Sequence, residues 1–251
     1  MATRRGQLLD GVLLLDKPEG LSSNHALQRA KRTVDARKAG HTGTLDPFAT
    51  GLLLCCFGRA TKISGAMLEA DKTYVATLAF GEETDSGDCT GVVTGRAPDD
   101  FPGVERDRLE AVLARFRGPI EQVPPMISAL KRDGKPLYEY ARQGIELERP
   151  ARRVTIHALD LLACEARQAV VRVDCSKGTY IRTLAQDIGR ALGCYAHLAA
   201  LRRTRIGPFD IERSIGLDAL QAMEAPQSAL IPLHALPASL SPAVIKPEDF
   251  A

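Results

Sequence analysis

Residues 40–53, Gly-His-Thr-Gly-Thr-Leu-Asp-Pro-Phe-Ala-Thr-Gly-Leu-Leu, set one carboxylate among three glycines, three threonines and a proline, then run straight into the apolar stretch 52–57. Glycines allow backbone conformations and close approaches that a Cβ forbids, and Pro47 restricts the residue before it, Asp46. An isolated Asp-Pro reads as an ordinary turn with a solvated aspartate. Here the length, the glycine punctuation and the apolar run behind it imply a loop anchored to a core. The expected product of such a loop is a positioned carboxylate at Asp46.

The chain has 251 residues, 45% hydrophobic and 25% charged, which is ordinary globular composition and enough for a substantial core. A net charge of +2 is too mild to argue nucleic-acid binding by itself. Its distribution is more informative: Arg29, Lys31, Arg32, Arg37 and Lys38 crowd the approach to Asp46, and Arg202, Arg203 and Arg205 form a second cluster. Either cluster can equally be a solvated face. The six cysteines show neither CxxC pairs nor histidine at ligand spacing, which argues against zinc and dithiol redox chemistry. Residues 12–15 are too short for a signal peptide and no stretch is long enough to span a membrane, so a cytoplasmic protein is expected.

Residues 11–15 read as a buried strand ended by Asp16-Lys17-Pro18-Glu19-Gly20, and Ser22, Ser23 or Asn24 caps a helix with Leu27, Ala30 and Val34 inward. Residues 73–80 alternate as a strand with Tyr74 opening the more apolar face. The acidic turn 81–88 resembles a calcium loop only superficially, since Thr90 and Arg96 stand where glycine and glutamate are needed. A helix around Leu109 and Leu113 stops at Gly118-Pro119, and the proline- and cation-bearing segment 122–144 reads as a protruding, partly irregular element. Strands follow near 153–162 and 169–175. The second leads into a helix with the stripe Ile181, Leu184, Ala185, Ile188 and Leu192, and Tyr180 and Arg182 fall in its first turn. Residues 197–206 read as a last strand.

These blocks together resemble the TruB family of tRNA pseudouridine(55) synthases. The resemblance rests on Asp16-Lys17-Pro18-Glu19-Gly20 with Ser22-Ser23-Asn24, the 40–53 loop, Ala60-Thr61-Lys62, Asp71-Lys72-Thr73-Tyr74, and Pro124-Pro125-Met126 with Ser128-Ala129-Leu130-Lys131. It continues through Cys175-Ser176-Lys177-Gly178-Thr179-Tyr180-Ile181-Arg182 and Leu201-Arg202-Arg203. Ordered blocks over most of residues 11–206 are far more specific than any single motif.

The resemblance implies an α+β fold, with a mixed, mainly antiparallel sheet flanked by helices and loops, and an inserted RNA-gripping thumb at about 122–144. It implies a catalytic domain over residues 1–213 and a short C-terminal segment, 214–251, where many relatives append an RNA-binding PUA domain. Asp46 becomes the aspartate that starts cleavage of uridine's N-glycosidic bond, either as nucleophile at C1′ or as base at C2′; both require an ionised carboxylate. Arg182 becomes its ion partner, and a nearby opposite charge favours ionisation. Tyr74 becomes the residue that stacks on the base and lies near the departing C5 proton.

By the same carry-over Tyr180 packs around the Asp46 and Arg182 pair, Leu201 walls the uracil, His41 fills the space of the everted base, and Lys17 supports the site. The implied reaction requires no cofactor, metal or redox step, and the implied partner is the T-arm stem-loop of tRNA, bound through phosphates, with no membrane, no obligate protein partner and a monomeric state. Ile127 departs from the family, where tyrosine is common. The competing readings are a T-arm RNA chaperone, a synthase that depends on a guide RNA, and an unrelated hydrolase using Asp46. The last lacks a second acidic partner at recognisable spacing.

Overall fold

The computed structural model describes residues 6–237 and Leu240. Its elements in chain order are β1 (Gly11–Lys17), α1 (Ser23–Thr33), β2 (Ala39–Thr42), β3 (Thr50–Phe57), α2 (Ser64–Glu69), β4 (Lys72–Phe80), β5 (Glu82–Thr84), β6 (Val93–Arg96), α3 (Arg106–Arg115) and β7 (Gly118–Gln122). The chain continues through β8 (Lys131–Arg132), β9 (Lys135–Pro136), α4 (Leu137–Ala141), β10 (Arg152–Glu165), β11 (Gln168–Cys175), α5 (Ile181–Leu192), β12 (Ala196–Ile206), β13 (Phe209–Asp210), β14 (Ile215–Gly216) and α6 (Leu217–Ala222). Two compact units emerge, one drawn from residues up to Lys72 and from Arg202 onward, the other from Thr73–Leu201.

The first unit is organised on β3. Its antiparallel partners are β1, with Leu14 opposite Leu54, and β2, with His41 opposite Cys55; Arg202 and Arg203 pair with Thr50 and Gly51 in parallel. Successive residues of β3 feed two separate cores. Leu52, Leu54 and Cys56 pack with Val12, Leu14, Ile63, Met67 and Phe209, whereas Leu53, Cys55 and Phe57 pack with Leu13, Leu15, Leu27, Val34 and Leu220. A strand covered on both faces has no reason to alternate with polar residues, which is why 52–57 is uniformly apolar. Segments near the C-terminus complete these cores, with Leu217 and Leu220 on one side and Leu233, Leu236 and Leu240 on the other. Residues 238–239 and 241–251 of the expected C-terminal segment lie outside the described residues.

Helix α1 starts where the sequence predicts: the Ser22 side chain accepts from the His25 N–H at 3.2 Å, satisfying one of the first-turn donors. Ala26, Leu27, Ala30 and Val34 are buried, while Arg29 and Arg32 face outward. Two boundaries differ from expectation. Asp16 and Lys17 belong to β1 rather than to the turn after it, and the ends of the 40–53 loop are strand, because residues 40–42 pair with residues 54–56. The irregular stretch contracts to residues 43–49.

In the second unit the strand order is β12, β4, β11, β10, β7, with β10 antiparallel to both neighbours. Ala76, Leu78 and Phe80 of β4 are buried on the face that Tyr74 opens. Helix α5 buries its whole predicted stripe and ends at Gly193, whose left-handed φ of 70° closes the helix. The segment 122–144 forms the small β8–β9 ribbon and the one-turn α4, with its cations Lys131, Arg132, Lys135 and Arg142 exposed. Where the sequence shows only an acidic turn, β5 and β6 form a two-stranded ribbon; α3 stops before Gly118 as expected, and the unexpected strand β7 begins there.

Candidate active site

Asp46 sits half-buried in the stretch between β2 and β3, and both of its neighbours are held. On one side Ser23 Oγ accepts from the Leu45 N–H at 2.8 Å and donates to the Leu45 carbonyl at 3.0 Å. On the other, the Pro47 carbonyl accepts from the Gly20 N–H at 2.8 Å and from Lys17 Nζ at 3.3 Å. The Ala49 N–H closes a turn on the Asp46 carbonyl at 3.1 Å. A carboxylate on so constrained a backbone loses little further freedom when it engages a substrate.

Lys17 is fully buried, and its ammonium also donates to the carbonyls of Pro18 at 2.8 Å and Leu21 at 2.7 Å. Burial lowers its pKa from 10.5 to about 8; the Asp46 and Glu19 carboxylates oppose the fall and Arg203 adds to it. Lys17 therefore acts as a knot joining the end of β1 to the Asp46 loop. A methylene chain could not satisfy three carbonyls.

Arg203 is 1% exposed, although the sequence groups it with solvated arginines. Its Nε donates to the Leu52 carbonyl at 2.8 Å and Nη2 to the Gly43 carbonyl at 3.1 Å, so one guanidinium ties both ends of the Asp46 stretch. Gly51 lies against the Arg203 backbone with φ +103°, where a Cβ would collide with it. Arg202 points the other way and forms a bidentate pair with Asp16, at 2.7 and 3.1 Å. His41 lies on β2, not on a loop. Its Nδ1 is buried with no hydrogen-bond partner among the described residues, and burial, then the Arg203 charge, lower its pKa.

In the second unit Arg182 is 4% exposed in the first turn of α5. Nη1 donates to the Ser86 carbonyl and Nη2 to the Ile127 carbonyl, both at 2.7 Å, while the Asp88 carboxylate lies 3.9 Å from Nε. Asp88 is itself held by Ser86 Oγ at 2.9 Å and by the Thr90 N–H at 2.9 Å. The acidic turn thus supplies a buried, oriented carboxylate beside an arginine. Glu83 of the same turn pairs in bidentate fashion with Arg190, at 2.7 and 2.9 Å.

Tyr180 caps α5 with extended backbone, and its N–H donates to Gln122 Oε1 at 3.0 Å. Tyr74 is half-buried near the start of β4, and Leu201 is buried on the neighbouring β12. Among the described residues no group of three or more His, Cys, Asp or Glu is placed to hold a metal ion, and no helix is long and apolar enough to cross a membrane. Arg203, Asp88, Gln122 and the two hydrogen bonds of Ser23 to the Leu45 backbone go beyond what the sequence led us to expect. Only Arg203 carried a signal, since it falls two residues after Leu201 on the inward face of a strand.

Residues 31–181 match the family described as TruB family pseudouridylate synthase (N terminal domain), and residues 182–243 the tRNA pseudouridylate synthase B C-terminal domain. The chain is 75% identical over 243 residues to the tRNA pseudouridine synthase B of Bordetella avium (strain 197N), covering 97% of this chain and 100% of that protein. It is 57% identical over 247 residues to the protein of that name from Azoarcus sp. (strain BH72), covering 98% and 81%. Among solved structures it is similar to a chain of a Cbf5-Nop10-Gar1 complex, with TM-score 0.70 and 32% identity. That match covers 90% of this chain and 60% of the other, so this chain spans about three-fifths of that chain's length.

Proposed function

The chain belongs to the TruB family of pseudouridine synthases, and on that premise we propose that it isomerises a uridine of tRNA, in the T-loop at position 55, to pseudouridine. The observation that carries the reading is the bracing of Asp46, whose two neighbours are fixed by Ser23 and Lys17 while Arg203 ties the loop at Gly43. Such a loop holds a carboxylate to a fixed line of attack.

The isomerisation breaks the C1′–N1 bond, turns the uracil and forms the C1′–C5 bond. C5 gives up its proton and N1 regains one, so the product has the atoms and electrons of the substrate. Asp46 opens the reaction at the ribose, and Arg182 serves as the cation that keeps it ionised. Tyr74 stacks on the uracil and offers its phenol oxygen near the C5 proton, which a phenylalanine could not do. Tyr180 and Leu201 shape the space around the base, His41 takes the place of the everted nucleotide, and Lys17 supports the Asp46 loop. The exposed cations of 122–144 and of α1 grip phosphates of the T-arm and position it without reading sequence.

The enzyme acts in the cytoplasm as a monomer, without an obligate protein partner or a guide RNA. Purified protein incubated with a minimal T-arm hairpin, followed by mapping of pseudouridine, tests this directly. Product at a single uridine in many-fold excess over enzyme is expected. Binding without product would favour a chaperone, and product only after addition of a guide RNA would favour the guided reading.

A further inference from the structure

We propose that Gln122 is a positioning residue for this reaction: its side-chain amide fixes the backbone of Tyr180 at the start of α5 and roots the 122–144 segment to the turn that carries Arg182. The assignment rests on the reading of the chain as a pseudouridine synthase. Gln122 ends β7, where its backbone pairs with Arg152, and it is 2% exposed. A side chain with an amide is costly to bury unless its donor and acceptor are used. Here both are spent on one residue: the Tyr180 N–H donates to Oε1 at 3.0 Å, and Nε2 donates to the Tyr180 carbonyl at 3.3 Å.

Gln122 thus takes the role of a neighbouring strand for a single residue. Tyr180 is the cap residue of α5, extended at φ −98° and ψ 107°, and no side chain caps the helix in the usual way. Its carbonyl also accepts the first helical bond, from the Leu184 N–H at 3.0 Å. Holding both backbone groups of Tyr180 sets the direction in which its Cα–Cβ bond leaves and where the helix begins. Arg182 follows two residues later.

A second tie lies five residues beyond Gln122, where the Ile127 carbonyl accepts from Arg182 Nη2 at 2.7 Å. Between the two ties stand Pro124 and Pro125, which fix φ and stiffen the connection. The root of the cationic segment is therefore a short strut fastened at both ends to the first turn of α5. Displacing the strut displaces Tyr180 and Arg182 together.

Gln122→Leu removes both hydrogen bonds at nearly constant volume, and Gln122→Glu keeps the acceptor but loses the donor. The expected result for both is a single-turnover rate on a T-arm hairpin lowered about 10- to 100-fold, with RNA Kd within about 3-fold of wild type. Amide hydrogen exchange should quicken across residues 178–184 while the β1–β3 amides stay protected. Rates equal to wild type in both variants would overturn the proposal, as would a loss accounted for by weaker RNA binding or by global unfolding of both. Exchange is read without RNA and tests the clamp by itself. A wild-type protein that makes no pseudouridine would instead refute the functional reading.

Discussion

Ser23 holds the backbone of Leu45 at both its N–H and its carbonyl, with one hydroxyl accepting at 2.8 Å and donating at 3.0 Å. Leu45 directly precedes Asp46, so a serine near the start of α1 governs the approach of the chain to the carboxylate. Ser23→Ala leaves both groups buried and unpaired, at a cost of about 1–3 kcal/mol. Urea unfolding should show that loss, and the single-turnover rate should fall more than RNA affinity does. An unchanged rate would contradict the bracing role.

Lys17 makes a pH-dependent contribution whose sign is fixed by its lowered pKa. Between about 8 and 10.5 the unfolded chain still binds the proton that the folded chain has released, so unfolding free energy rises with pH across that window. The contribution is complete above 10.5 and lost as pH falls through about 8. Stability of wild type relative to Lys17→Met is expected to climb across the window. Parallel curves for the two proteins would show that Lys17 keeps an ordinary pKa.

His41 titrates in the opposite region with the same sign. Burial and the Arg203 charge hold its pKa below 6.5, so acid favours the unfolded chain, and the stability His41 lends at neutral pH disappears as pH falls. Its imidazole resonances should titrate with a midpoint below 6.5, and His41→Gln should be less acid-sensitive than wild type. A midpoint at or above 6.5 would contradict the buried, neutral ring.

Gly51 permits the close parallel approach of β3 to Arg203. At φ +103°, with the Arg203 backbone against its Cα, an added Cβ meets both strain and collision. Gly51→Ala is expected to cost at least about 2 kcal/mol and to lower activity through Arg203 and Gly43, as read by thermal unfolding and turnover. Near-wild-type values for both would show that the strand pair relaxes without loss.

Much of this architecture is legible in the chain. The run 52–57 declares an anchor in the core, and the spacing of Ile181, Leu184, Ala185, Ile188 and Leu192 declares a helix, because burial writes itself into local pattern; that 52–57 is a strand covered on both faces comes only with its partners and the two cores. Val93–Arg96 and Gly118–Gln122 do not declare themselves. Their strand character comes from partners, Glu82–Thr84 and residues 152–156, that supply hydrogen bonds from elsewhere in the sequence. The same limit hides Arg203, Asp88 and Gln122. Each is buried because a distant carbonyl, guanidinium or peptide meets it, and a polar residue in isolation reads as exposed. Asp46 itself is legible because glycine and proline mark its loop directly.

On the function proposed above, the braced Asp46 is the residue that starts the isomerisation. The most direct test of this is pseudouridine mapping in T-arm RNA after incubation with wild type and with Asp46→Asn, alongside RNA binding and thermal unfolding of both. Product at one uridine is expected with wild type, and none with Asp46→Asn although its fold and RNA affinity are retained. Turnover by a folded Asp46→Asn protein would contradict it.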